Sequence, residues 1–455
     1  MAELAAALAA LAGGSSGNGA LAGSSPRPVS PSTLAQPGWF VPPHLLRHPH
    51  CRAASLTAHE CSREAAAQPT DFDRVYRYGL SLQELASKLI QQPADQLMLL
   101  NQAAEVYMEA SRLQGGRHAA ALYNWAVALT DIARLVRAQQ PDEAYECLTA
   151  AASKYAQSLA VHSDNPQASS ANNNWGLVLQ DLSGLRAASE RHGYHHHSLQ
   201  KFRRAIRLRP DFDRACYNLG TVLYSHACSL QEALLAGQEE QEAAAAAASS
   251  SLSGRRSSSL GPGSSATAAA AGSSGRGAAE RAIQAIFAHA AQYIALAYAM
   301  EPGKGVYGDS LAAVQRLLPL PHLRAGCLLA VHPDTECSPS EQWVPCWFGL
   351  GLEGLQAVRP PAAYAGSAAH SGMPAAPLPI RYELADVADA RLAADPSLPA
   401  GAAIWLGLRS SPRGAYLVAA DQDDAEGWID ALLLLSHLLR AGRISGAQAA
   451  LALRR

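Results

Sequence analysis

Histidine and cysteine side chains gather at two places in this sequence. His44, His48, His50, Cys51, His59 and Cys61 lie in one proline-containing stretch and offer the nitrogen and sulfur donors that zinc prefers. They lack the paired spacing of a zinc finger, so no metal is expected there. His195, His196 and His197 are consecutive, and three neighbours on a helix fan out over about 200° and cannot meet on one ion. A solvated face is expected for them. The segment "GLGLEG" (349–354) has the glycine pattern of a dinucleotide loop, which needs a helix opening directly behind it to receive the pyrophosphate. "LQAVRPP" follows instead, and its prolines end any helix within a turn, so strand and turn are expected. Gly13 to Gly17 spell G-x-S-x-G, but inside Ala/Gly/Ser filler with no strand to hold a nucleophile. "RRSSS" (255–259) has the shape a basic-directed kinase accepts, and phosphate on Ser258 would add nearly two negative charges. No nucleophile–base pair, metal set or cofactor loop emerges. The expectation is a non-enzyme with no cofactor and no metal.

The bulk composition narrows the class. Of 455 residues, 49% are hydrophobic and only 16% charged, with a formal net charge of -2. That length allows about two to four domains. The near-neutral balance supplies no basic surface for nucleic acid. No run of 18 strongly apolar residues occurs, and "IDALLLLSHLLRAG" (429–442) is too short to span a bilayer, so no transmembrane segment is expected. The eight cysteines are scattered without a Cys-x-x-Cys pair, which fits free thiols in a reducing, intracellular setting. Residues 1–68 are mostly Ala, Gly, Ser and Pro, with no acidic side chain from 4 to 59. They read as a disordered leader, giving a cytoplasmic protein, or alternatively as a chloroplast transit segment.

Helical periodicity begins at "DFDRVYRYGLSLQELASKLI" (71–90) and continues to about residue 301. In "RPDFDRACYNLGTVLYS" (209–225), Cys216, Leu219, Gly220 and Leu223 share one helical stripe. Gly220 there costs roughly 1 kcal/mol of helix propensity relative to Ala, which is tolerated where another helix approaches closely. The pattern recurs. "YNWAVALTDIARL" starts at Tyr123, "NNWGLVLQDLSGL" at Asn173 and "YNLGTVLYSHACSL" at Tyr217. These align Asn124, Asn174 and Asn218, then Trp125, Trp175 and Leu219, then Ala126, Gly176 and Gly220. Second helices follow with small and large residues in alternation: Ala151, Tyr155 and Ser158; Ser198, Phe202, Ala205 and then Pro210; Ala290, Ile294, Ala297 and then Pro302.

These paired helices resemble tetratricopeptide repeats, over residues 69–302 as about four repeats. The resemblance implies that Pro210 and Pro302 are terminal prolines and that Leu219-Gly220 is the Leu-Gly of a first helix. The Ser/Ala/Gly segment 238–279 would be a disordered insert looping out of the solenoid. It also implies a groove that takes a partner peptide. Asn124, Asn174 and Asn218 are its candidate contacts to a peptide backbone, the alternative being bonds to neighbouring helices, and Arg214 is a candidate partner for acidic side chains. Only Asn174 with Arg214 fits part of the clamp of chaperone-binding relatives, so an acidic chaperone tail is not the expected ligand.

Beyond Pro302, residues 303–378 read as a linker with the start of a second domain, and 379–441 as its strands and closing helix. Residues 442–455 read as a tail or short helix. Strands are expected in 342–358, 379–387, 402–409 and 414–420. A helix then opens at a box-like Asp423-x-x-Glu426 and carries Trp428, Leu432, Leu435 and Leu439 on one face. This end resembles a pleckstrin-homology domain, in which the helix plugs a bent barrel, and Trp428 is the residue carried over. Phosphoinositide-binding members need several Lys and Arg near the first strands; between 310 and 358 there are only Arg316 and Arg324. The expected fold is thus mainly α, a solenoid of antiparallel helix pairs followed by a small α+β pleckstrin-homology-like barrel capped by a C-terminal helix. The expected function is a protein-binding adaptor whose second module adds avidity. A membrane-recruited phosphoinositide-binding adaptor and an organelle assembly factor are the alternatives.

Overall fold

The helices of this chain are set by their ends. Asp71 caps one, its carboxylate accepting from the backbone N–H groups of Asp73 and Arg74. His118 caps another through Nδ1, 3.1 Å from the Ala121 nitrogen. Pro93 and Pro141 each occupy a first helical position, where the missing N–H is not needed. The structure, a computed structural model, describes residues 41–47, 49–161, 167–252, 265–331, 343–361 and 376–452. It contains two compact units, Met1–Leu208 and Arg209–Arg455.

The first unit is helical throughout its described residues: α1 (Pro43–Leu46), α2 (Arg52–Ala67), α3 (Phe72–Ser87), α4 (Pro93–Leu113), α5 (Ala119–Val136), α6 (Pro141–Val161), α7 (Ala168–Ser183) and α8 (Ala188–Leu208). From α3 onward the helices pair as α3/α4, α5/α6 and α7/α8. The antiparallel sense of the last pair is visible in two hydrogen bonds. Ser169 Oγ near the start of α7 donates to the Ala205 carbonyl near the end of α8, and Ser198 Oγ donates to the Gly176 carbonyl further along. Two of the pairs, α3/α4 and α7/α8, interlock a glycine with an aromatic ring. A Cβ on Gly79 would lie 2.7 Å from the Tyr107 ring, and one on Gly176 2.7 Å from the Phe202 ring. Phe202 and Ala205 are fully buried, and Trp175 nearly so, whereas Trp125 is half-buried.

The expected disordered leader 1–68 is corrected at its end. α2 packs on α3, burying Ser55, Ala58, Ser62 and Ala65. Those positions have helical spacing but are small or polar, so a search for apolar periodicity passes over them. Ser55 Oγ also donates to the Leu45 carbonyl, 2.9 Å away, tying α1 to α2.

The second unit begins with a long pair, α9 (Asp213–Leu252) and α10 (Ser265–Met300). The insert expected to loop out from 238 is helical to Leu252 and again from Ser265; its alanine-rich flanks favour helix over open chain. Ser258 lies outside the described residues. Gly220 is the notch of this pair: a Cβ there would come within 2.8 Å of Ile294 Cγ1 and 3.0 Å of the Ala290 carbonyl oxygen. Leu219, Ala290 and Ala297 are buried around it. Pro210 and Pro302 lie in turns outside the helices. Arg276–Met300 is long and apolar enough to cross a membrane by length and composition, and 67% of the window that passes that test is buried inside the unit.

α11 (Gly305–Val314) and a 3-10 turn (Gln315–Leu317) lead into seven antiparallel strands. These are β1 (Arg324–Ala330), β2 (Val344–Leu350), β3 (Gly354–Ala357), β4 (Arg381–Glu383), β5 (Val387–Ala393), β6 (Ala402–Leu408) and β7 (Ala415–Ala419), in the order β4-β3-β2-β1-β7-β6-β5. Leu328 faces Cys346 across β1–β2, and Leu329 faces Val418 across β1–β7. β1 escapes the sequence pattern because its centre, Gly326-Cys327, carries no strand signal. "GLGLEG" is the β2–β3 hairpin, with Leu350 paired to Leu355 and Gly354 at φ 152°. α12 (Gln422–Arg440) packs on β5, β6 and β7, with Trp428 fully buried, and α13 (Ile444–Leu451) follows. The cap of α12 is Asp421, whose Oδ1 accepts from the Asp424 nitrogen at 2.8 Å, rather than the expected Asp423 box.

Two of the glycines in the second unit's helices give a paired test. Gly220→Ala pushes against partner backbone and should lose about 1–3 kcal/mol despite its better helix propensity. At Gly308 the nearest atom to a new Cβ is 3.8 Å away, so Gly308→Ala should gain about 0.5–1 kcal/mol. Urea denaturation of the full chain measures both.

Candidate functional site

First helices of neighbouring pairs touch one another in the first unit, α3 against α5 and α5 against α7. Their contact is stitched by one repeated hydrogen bond. Asn124 Nδ2 donates to the Tyr76 hydroxyl at 2.7 Å, and Asn174 Nδ2 donates to the Tyr123 hydroxyl at 3.1 Å. Asn173 Nδ2 in turn donates to Asn174 Oδ1 at 3.1 Å. The asparagine amides proposed for a ligand thus hold hydroxyls of the preceding pair. Burial raises the Tyr76 hydroxyl pKa, and the Asn124 bond opposes that rise. At the far end of the same helices, Asp181 pairs with Arg134 and Arg137, both at 3.4 Å.

One position after each notch, an aliphatic side chain remains accessible: Leu80, 40% exposed, and Val127 and Leu177, each half-buried. The three occupy equivalent places on α3, α5 and α7. A hollow elsewhere in the first unit is lined by Pro42, Leu97, Met98, Asn101 and Glu105, where burial raises the Glu105 carboxyl.

The histidine and cysteine groups separate. His44 Nε2 lies 3.1 Å from Asp95, and Cys51 Sγ turns to the Leu45 carbonyl. Among the described residues no three His, Cys, Asp or Glu side chains are placed to hold one ion. The seven described cysteines are free thiols. The expected solvated face of His195–His197 is corrected at its first member. His195 is buried, with Nε2 3.3 Å from Ser183 Oγ, while His196 meets Gln200 and His197 Nδ1 lies 2.7 Å from the Gly193 carbonyl. Ser183 and His195 form a hydroxyl–imidazole contact that sequence spacing alone does not reveal. Both are buried between α7 and α8, so no substrate carbonyl reaches the hydroxyl.

In the second unit, Arg214 sits at the start of α9 with its guanidinium 5.9 Å from the Phe212 ring, and Asn218 lies one turn on. Asp213 accepts from Lys304 and from the Tyr307 hydroxyl, holding its carboxyl below the usual range although burial opposes this. A buried polar network crosses the unit. Arg324, 4% exposed, donates to Gln292 Oε1 at 2.9 Å, to the Asp424 carbonyl at 3.1 Å and to the Asp424 carboxylate. Gln292 donates to the Gly427 carbonyl at 3.0 Å, and Tyr293 donates to Asp430 at 2.7 Å. α10 is thereby bonded to β1 and α12 inside the unit Arg209–Arg455. Arg324, one of two candidate headgroup-binding cations, is consumed inside the fold.

No family model matches the sequence, and no curated protein does. Among solved structures, the crystal structure of MamA protein matches at 16% identity, covering 47% of this chain and 98% of that chain, with a TM-score of 0.24.

A Tyr76→Phe and Asn124→Ala double-mutant cycle should return a coupling of about 0.5–1.5 kcal/mol in stability. Arg324→Met, which leaves Asp424 and Gln292 without their partner, should cost about 3–5 kcal/mol. Chemical denaturation reads both.

Proposed function

We propose that this chain is a non-enzymatic adaptor. Its helix pairs act as tetratricopeptide-like repeats that hold a partner polypeptide against their first helices. The C-terminal sheet and helix act as a pleckstrin-homology-like module that adds a second docking contact. The notches at Gly79, Gly176 and Gly220 support the repeat reading, since each pairs a first-helix glycine with a large second-helix side chain. The strand order, closed by a helix with a buried Trp428, supports the pleckstrin-homology-like reading.

The observation that carries the adaptor reading is the row Leu80, Val127 and Leu177. Aliphatic side chains on adjoining helices, left accessible at one repeated position, are suited to burying the apolar side of a bound segment. The tyrosine–asparagine bonds beneath them fix the spacing of the row without using it.

Leu80→Glu combined with Leu177→Glu should lower partner capture by the immobilised full-length protein at least tenfold, with the thermal midpoint unchanged within a few degrees. An undiminished set of captured proteins, from a variant that melts normally, would overturn this reading.

A further inference from the structure

The hollow of the first unit runs along α4 from Ala94 to Glu105, roughly 16 Å at the rise of an α-helix. Its volume is about 560 Å³. Leu97 and Met98 line it from α4, and Met98 is left 40% exposed. Pro42 lines it from the chain that leads into α1. Asn101 and Glu105 stand toward its far end, and neither spends a hydrogen bond or ion pair on a described residue. Apolar walls with oxygen acceptors at one end suit an aromatic ring that carries a donor, and indole is such a ring.

The backbone is pinned at the rim of this hollow. Val41 is 2% exposed and belongs to the same core as Leu99 and Leu100 of α4, and Pro42 beside it is buried. His44 Nε2, 3.1 Å from Asp95 Oδ1, holds the same turn against the start of α4. With Val41 fixed, the Cα of residue 40 lies about 3.8 Å from it and that of residue 39 within about 7 Å. Those residues are Phe40 and Trp39, which lie outside the described residues. They are the only aromatic residues in 1–40, a segment made mostly of Ala, Gly, Ser and Pro. Its two large rings thus stand at the one point from which the hollow is within reach.

We propose that the hollow is the seat of this chain's own Trp39 and Phe40, which strap the N-terminal segment onto α4. The rings cover Leu97 and Met98, the latter through a sulfur–aromatic contact, and the indole N–H of Trp39 donates to Glu105 or Asn101. Each ring can withdraw about 150–250 Å² from water, enough to hold a segment that has no other large side chain at this end.

The test oxidises the purified full-length protein with hydrogen peroxide and follows Met98 and Met108 by peptide mass spectrometry. Both stand on α4, at 40% and 36% exposure, but Met98 lines the hollow and Met108 lies beyond it. In the parent, Met98 should form its sulfoxide at least ~3-fold more slowly than Met108, since oxidation follows access to the sulfur. Trp39→Ala combined with Phe40→Ala should bring Met98 level with Met108 and leave the Met108 rate unchanged. The protection should not fall as the protein is diluted. A parent in which Met98 already reacts as fast as Met108, or a Met98 rate that the double substitution leaves unchanged, would overturn the proposal. So would protection that is lost on dilution, which would assign the hollow to a second copy of the chain.

Discussion

Close approach of two helices at a notch is the constraint on which the repeated part of this structure depends. With Gly79 under Tyr107, or Gly176 under Phe202, the first helix of a pair has one permitted rotation. At 100° per residue, that rotation settles where each neighbour of the notch must point. Three residues before it stand Tyr76 and Tyr123; two before it stand Asn124 and Asn174; one after it stand Leu80, Val127 and Leu177. The hydroxyl and amide positions face the adjoining pair and bond to each other, and the aliphatic position is turned to solvent. Helix pairing, stacking and the accessible row thus follow from one steric contact rather than from three separate devices.

The second unit is organised by a buried charge. A guanidinium at 4% exposure costs several kcal/mol to desolvate unless its donors are met. Arg324 bonds through its two terminal nitrogens to groups from α10 and α12 at once, its buried Nε has no partner among the described residues, and its guanidinium carbon stands 4.8 Å from the Trp428 ring centroid. Gly427 leaves room for it: a Cβ there would be 2.6 Å from the guanidinium. A cation on β1 with partners on α10 and α12 ties these three elements together, so the α9/α10 pair belongs with the sheet. In the first unit the interlocks are local, and each pair is completed within about 30 residues of chain.

That difference in range explains what the sequence discloses. The notch stripe around Gly220, the strand-and-turn character of "GLGLEG" and the apolar face that carries Trp428 are written in local residue spacing and are legible, although the partners of Gly220 and Trp428 lie far along the chain. α2 was hidden because Ser55, Ala58, Ser62 and Ala65 bury little apolar area, and β1 because Gly326 and Cys327 interrupt its alternation. The bond between Arg324 and Gln292, the Ser183–His195 contact and the engagement of Asn124 by Tyr76 join residues well apart in the chain, which spacing within one helix does not encode. For Asn124 and Asn174, residue type showed a polar group at the right place on the helix. The geometry showed which hydroxyl it serves.

The α9/α10 pair tests how much the notch outweighs chain connectivity. Gly220 meets Ile294 across roughly three times as much intervening chain as separates Gly176 from Phe202. Loop-closure entropy grows only logarithmically, so this added length costs about 0.9 kcal/mol. Burying Ile294 alone returns about 1.5–3 kcal/mol. The pair therefore closes in spite of its insert, provided that the added residues leave from the far ends of both helices. They do: α9 runs on to Leu252 and α10 starts at Ser265, so the extension lengthens the hairpin rather than spreading its base. An insert of the same length placed beside Gly220 would displace the Ala290 carbonyl and Ile294 from the notch, and no favourable entropy of the loop would restore them.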